Sequence, residues 1–572
     1  MGRRLAAGLM VLLLATAAGC SRGSLGGRPV DGGVLRVALT QTPGRVLNPL
    51  LVGDSDLTRL IYGQLLKQGA QLEPVCDLCE RYSVSPDQRT VTFVLRQGVQ
   101  WHDGKPFSAE DVAFTLRTLL HPDYAGPRAG TLSALAGVQP LLDQRDSLAR
   151  EVAAGRLTAG AAAERNRAAF EQWLKGPGAR AIATPDAQTV VLRLDQPYGP
   201  LLAHLMVPVL PAHSFSQVAV AAMREHEASR RSVGTGPFKL VEYRPGQLAR
   251  LERNDTYYGG KPHIATVEMK VVKPAELAGA LQRGEFDYAQ VPASAVGSLA
   301  DEKRVRLVER MGFGYQYVGL NHDLPALADR RVRQALLLAI NRDRLVSEVL
   351  NGHGTVLNGP LAVFPWVQEG VTPAPYGYDP GRAAALLADA GWHERNKDGW
   401  LVKDGQVLGF TVKVPHGQKA RETTAALLAE DLKAVGVRVR IEPVEFAQLV
   451  REVFGERSAE AWLLGWDVAP DPDPGPAYRG DNKWGKATGW ANARSEALQR
   501  QAVQTVETGL RRPLYTEWNE LVAQELPVLY LYTENQVEAI NVERVQGARP
   551  DPRGLLWNIE AWWIAGGDAS AT

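Results

Sequence analysis

The sequence predicts an α/β protein of more than one structural unit, and three observations carry that reading. Runs of strand character, VLGFTVKV (407–414), VRVRIEPV (437–444) and AWLLGW (461–466), alternate with helical runs such as ETTAALLAEDLKAVG, the pattern of strands and helices packed in layers. The helix DPGRAAALLADAGW is well signalled, with Asp379 as N-cap, Pro380 at the first helical position and a stop at Gly391. The chain has 572 residues, beyond the roughly 250–300 that one hydrophobic core organises.

The elements follow in chain order. The stretch MGRRLAAGLMVLLLATAAGC has an arginine pair, an apolar run from Leu9 to Leu14 and small residues after it, the layout of a secretory signal over residues 1–19. The run is shorter than the ~20 residues a membrane-spanning helix needs. Ala18-Gly19-Cys20 resembles the lipobox of bacterial lipoproteins, which implies a lipid on Cys20 and a protein anchored to a membrane surface outside the cytoplasm. Residues 20–32, rich in glycine and serine, read as a flexible tether.

VLRVAL (34–39) is a buried strand and VTFVLRQGVQW (91–101) a second one ending in a turn. The next residues, WHDGKPFSAEDV, bring His102, Asp103, Glu110 and Asp111 close together and look like acid–base equipment. Turn and cap chemistry explains most of it: Asp103-Gly104 makes a turn, and Ser108-x-x-Asp111 is a capping box opening a helix. Cys76 and Cys79, the only cysteines after Cys20, suit a small structural disulfide in an oxidising compartment better than redox or zinc chemistry.

Residues 141–176 predict one or two surface helices, and TVVLRL (189–194) a strand. GTGPFKLVEYRPGQLARLERNDTYYGG predicts a β-hairpin turning at Arg244-Pro245-Gly246; its Gly234-x-Gly236 lacks the third glycine and following helix of a phosphate loop. DRRVRQALLLAINRDRLVSEVLNG predicts a helix with Val332, Leu336, Ala339 and Ile340 on one face, running to Gly352. LPVLYLYT (526–533) is a strand close to the C-terminus.

Composition excludes some functions. With 64 basic against 63 acidic residues and a net charge of +1, there is no electrostatic footprint for nucleic acid. No zinc-protease, nucleophile-elbow or Walker motif occurs, and His102, His213 and His322 are scattered. PDPDPG (470–475) has neither the third acidic ligand nor the bidentate glutamate of a calcium loop. No catalytic residue, metal ligand or cofactor is therefore assigned. An enzyme, such as a tethered extracytoplasmic hydrolase or folding factor, is the alternative class, and it needs titratable groups converging in one cleft.

Six segments taken together resemble the family 5 extracellular solute-binding proteins, receptors that feed ABC importers for peptides, nickel and related solutes. They are VTFVLRQGVQWHDGKPFSAEDVAFTL, GTGPFKLVEYRPGQ with NDTYYGGKP, VGLNHDLPALADRRVRQALLLAINRDRLV, YDPGRAAALLADAGW, LLGWDVAPDPDP and LPVLYLYTENQVEAINVERVQG, in family order over nearly all of the mature chain. The resemblance implies a two-lobed, hinge-connected periplasmic-binding-protein-like fold of type II. Lobe I is expected over 33–272 plus 535–564, with an extra subdomain at about 60–185, and lobe II over 273–534. It also implies a monomer that holds an oligopeptide, or a nickel chelate or oligosaccharide, between its lobes and delivers it to a membrane permease. In the peptide-binding members an aspartate three residues after the tryptophan of LLGWDVAPDPDP pairs with the ligand's ammonium, and here that position is Ala469. The expected ligand residues are Trp466, as a flat aromatic platform, with either Asp467 or Asp471 as counter-ion.

Overall fold

The structure, a computed structural model, describes residues 28–41, 44–368 and 376–566. The signal segment and Cys20 lie outside the described residues. The last part of the expected tether is docked: Gly32 N–H donates to the His263 carbonyl at 2.8 Å, and the Asp31 carboxylate meets His263 Nδ1 at 2.7 Å.

Ten strands follow one another across the main sheet. In order they are Arg438–Val444, Gly409–Pro415, Ala461–Asp467, Gly314–Leu320, Val528–Asn541, Tyr288–Val291, Val34–Leu39, Thr266–Val271, Leu248–Arg253 and Phe238–Arg244. Two more, Val305–Met311 and Gly354–Val356, pair with Val528–Asn541 off that path. The fold is thus the α/β, two-lobed arrangement expected. Each lobe has its own large apolar core, one centred on residues such as Leu35, Phe93 and Trp101, the other on Leu336, Trp462 and Leu531.

Val528–Asn541 joins the lobes. Its first half pairs with Gly314–Leu320 and its second with Tyr288–Val291 and Val305–Met311. The predicted strand stops at Thr533; the polar run Glu534-Asn535-Gln536 continues it because each residue keeps its place in the ladder. The first lobe boundary also differs from the expectation. Residues 274–311 do not open the second lobe; they bury Leu277, Leu281, Val296 and Leu299 against Ala38, Val537 and Ala539 and belong to the first. The chain crosses at Gly312-Phe313, between Met311 on one set of pairings and Gly314 on the other, and crosses again around Glu534.

The extra subdomain is a four-stranded sheet, Cys79–Val84, Thr90–Leu95, Thr189–Arg193 and Ile182–Asp186, with helix Ala109–Leu120 against it. It therefore extends past residue 185, since Thr189–Arg193 is one of its two inner strands. The strand expected over 91–101 ends at Leu95. The region 141–176 is an antiparallel pair, Gln139–Ala153 and Ala159–Lys175. Cys76 and Cys79 are disulfide-bonded. The hairpin turns where expected, with Gly246 at φ +75°.

The long helix expected to run to Gly352 is two helices, Arg330–Ala339 and Arg342–Leu350. Ile340 is extended, and Asn341 caps the second helix by accepting from Arg344 N–H at 3.0 Å. Asp431 takes the Asn341 amide at 2.9 Å, so a carboxylate from a neighbouring helix fixes the break.

Candidate functional site

The stretch 101–112 is a joint and not a site. Ser108 and Asp111 form a reciprocal capping box, and Asp111 also accepts from Ala212 N–H at 2.8 Å and Trp101 Nε1 at 3.3 Å. His102 accepts from Gly234 N–H at its Nδ1 and faces the Gly236 carbonyl at 3.1 Å through Nε2, which fixes a neutral tautomer. A Cβ on Gly234 would lie 1.8 Å from the Ile61 carbonyl oxygen, so this glycine serves a close backbone approach. Asp103 pairs with His213 at 2.8 Å, and His322 meets the Pro527 carbonyl at 3.1 Å. The three histidines do not converge.

The cleft lies elsewhere. A cavity of about 610 Å³ opens between the lobes. Gln290, Pro292 and Thr40 line it from the first lobe, and Gln316, Arg421 and Gly465–Asp467 from the second, with Thr533–Gln536 along its floor. The polar interruption of the joining strand is thus where that strand meets the cleft. Gln290 Nε2 also donates to Asp56 at 3.0 Å, tying the cleft wall to the helix Asp56–Ile61.

Trp466 and Asp467 end the strand Ala461–Asp467, opposite Tyr315 and Gly314. Trp466 is half-buried and packs edge-on against Trp484, with centroids 5.8 Å apart, and Trp484 packs on Phe454 at 4.1 Å. This backing holds the indole while one part of it lines the cavity. Gly465 has a steric reason to be glycine, since a Cβ there would meet Gln316 Nε2 at 2.7 Å and Arg421 Nη2 at 2.8 Å. Its absence lets Arg421 lie across the strand, donating through Nε to Gln316 Oε1 at 2.9 Å. Burial pulls the Arg421 guanidinium below its ordinary range, against the opposing pull of Tyr532, Tyr317 and Asp467. Asp467 itself is exposed. Arg421 and Gln316 had no signal in the sequence, because only strand pairing brings them together.

Asp471 stands apart from the cleft. Its buried carboxylate is gripped by Arg511 in a bidentate pair at 2.6 and 2.8 Å, and its Oδ1 also accepts from Asp473 N–H at 2.9 Å. Asp473 in turn accepts from Gly475 N–H at 2.9 Å. Of the two counter-ions expected, the structure brings Asp467 to the cleft beside Trp466 and commits Asp471 to holding the loop.

Two lobes sharing one strand, with an aromatic and polar cleft at the crossing, define a solute-capturing protein. A family profile described as bacterial extracellular solute-binding proteins, family 5, matches residues 73–487. The chain belongs to that family of extracellular solute-binding proteins. It is 29% identical over 548 residues to the oligopeptide-binding protein AppA of Bacillus subtilis, covering 94% of this chain and 93% of that one. The structure of AppA in complex with a nonapeptide is similar with a TM-score of 0.61 at 27% identity, covering 94% of this chain and 100% of that one. The dipeptide-binding protein of Escherichia coli is 26% identical over 507 residues, covering 84% of this chain and 85% of it.

Proposed function

We propose that this chain is a monomeric receptor, tethered by lipid on Cys20, that closes its lobes on an oligopeptide and delivers it to the membrane permease of an ABC importer. The observation that carries this reading is the cleft. Trp466 offers a flat apolar face with an N–H donor, Asp467 supplies a negative charge for an amine, and Gln290, Gln316 and Asn535 add amide groups suited to a peptide backbone. Two relatives matched over more than four fifths of the chain are an oligopeptide-binding and a dipeptide-binding protein. Closure is a rotation about the two crossings, Gly312-Phe313 and Glu534, where small backbone changes turn one lobe against the other.

Calorimetry with a peptide library is the direct test, repeated on Trp466→Ala. Peptides should bind, and the alanine variant should lose about 2 kcal/mol or more, the cost of truncating a central aromatic contact. A metal chelate or sugar bound in place of any peptide replaces the substrate class, and a silent Trp466→Ala removes the cleft assignment. Scattering should show compaction on peptide addition. Cys20→Ala should release the protein from membranes.

A further inference from the structure

The lobes also meet away from the two crossings at Gly312-Phe313 and Glu534. Helices Ala493–Val503 and Thr508–Glu525 belong to the second lobe, with Leu498, Ala502, Tyr515 and Trp518 in its core. The loop between them leaves that core. Val506, fully buried, packs instead in the core of the first lobe.

Hydrogen bonds join the lobes around it. Gly199 N–H donates to the Val503 carbonyl at 2.6 Å, Val506 N–H to Gln88 Oε1 at 2.7 Å and, farther along the same face, Trp366 N–H to the Gln71 carbonyl at 3.2 Å. Gly199 is a glycine for a steric reason, since a Cβ there would lie 2.2 Å from the Thr505 carbonyl oxygen and 2.5 Å from Arg511 Nε. The first lobe is thus shaped to receive a segment of the second.

The contact has the character of one that opens. Each lobe buries a large set of apolar side chains of its own, whereas this loop adds a single valine to the other lobe's core. Elements held by few buried apolar contacts open while the rest of a fold stays shut. Gln88 lies in the turn between two strands of the subdomain sheet and Gly199 soon after a third, so neither is at a crossing, and a rotation about the crossings that opens the cleft draws Val506 from its seat. The region is also tied to the cleft. The loop that leaves the cleft at Trp466 and Asp467 is pinned through Asp471 to Arg511, and Arg511 Nε donates to the Ala502 carbonyl at 3.0 Å, next to Val503. Solute held at Trp466 therefore bears on the helices that carry Val506.

We propose that residues 503–508 are a latch that holds the lobes closed over the cleft, with Val506 as its bolt and Gly199 and Gln88 as its seat, and that solute in the cleft keeps it engaged. The latch rests on the lobe rotation proposed above and supplies what keeps the closed form shut.

Hydrogen exchange on the full chain reads the latch without any ligand, because the Gly199 and Val506 amides are each held by a group of the other lobe. Their protection should be equal, and about tenfold or more below that of amides within the strands Thr189–Arg193 and Ala461–Asp467, as for a unit that opens on its own. Gln88→Ala and Val506→Ala should each lower both, including the protection of Gly199, whose own bond they leave in place. Variants that change Val506 alone or neither amide, or parent protection equal to that of the strands, mean a fixed contact and overturn the latch. Should Val506→Ala fold poorly by thermal melting, Gln88→Ala carries the comparison by itself. Penta-alanine, with its binding followed by calorimetry, should raise the protection of both amides in the parent. If it binds and leaves them unchanged, the latch is overturned and the cleft stands. If it does not bind while the variants act as expected, the latch stands and only the peptide reading is lost.

Discussion

Two acid-rich stretches of this chain look alike in sequence and differ in the fold at one carboxylate. In WHDGKPFSAEDV both the buried Asp111 and the exposed Asp103 are engaged by neighbouring groups: Asp111 by the cap, Ala212 and Trp101, and Asp103 by His213. In GWDVAPDPDPG the same is true of Asp471 and Asp473, but Asp467, at the strand's end, faces the cavity between the lobes. Which acidic residue the fold turns toward the cavity is not reported by sequence pattern alone.

The largest expected effect is at the engaged end of the second stretch. Arg511→Ala leaves the buried Asp471 carboxylate without its guanidinium and should cost about 3–5 kcal/mol in denaturant unfolding, the range for removing one partner of a buried ion pair. A loss under about 1 kcal/mol would mean that the loop does not depend on the pair.

Asp467→Asn should behave in the opposite way. Peptide affinity is expected to fall about tenfold, ~1.4 kcal/mol, while stability moves by less than about 0.5 kcal/mol, as for an exposed substitution. If stability falls and affinity does not, the contrast between Asp467 and Asp471 is reversed.

The first stretch yields the smallest effect at neutral pH, and one that grows in acid. Burial first, partly offset by the bond to Gly236, lowers the His102 pKa to about 4, and burial with the nearby Arg333 lowers that of His322 to about 3. Unfolded histidine titrates near 6.5. Above that value both states are neutral and nothing is lost; below it the unfolded chain binds more protons, so stability falls as the pH drops from about 6.5 toward 4. His102→Gln should flatten that decline by up to one proton, roughly 1.4 kcal/mol per pH unit. Unfolding curves at pH 7, 6 and 5 measure the slope, and equal slopes for variant and parent would show that the ring is already protonated in the fold.

Much of the fold was legible because local chemistry agreed with it. The capping box at Ser108, the proline-led helix at Pro380 and the hairpin at Gly246 each rest on residues within a few positions of one another. What was hidden depends on distant partners. The break at Ile340 needs Asp431, some 90 positions on; the extension of the joining strand past Thr533 is polar because it floors the cleft; and residues 274–311 reveal their lobe only by packing on Ala38 and Val537. At the site, Trp466 and Asp467 could be named from sequence, whereas Arg421 and Gln316 meet only through strand order.

That joining strand has a consequence for how the molecule is assembled. It lies between Gly314–Leu320 and Tyr288–Val291, yet Val528–Asn541 follows every other strand of that sheet in the chain. Until Asn541 has left the ribosome, the main sheet is in two unconnected halves, and its central contacts are long-range ones that form slowly. For a protein that works outside the cytoplasm, this order delays completion of the sheet until its last strand in sequence has been made, which favours a chain still loose enough to be threaded through a membrane.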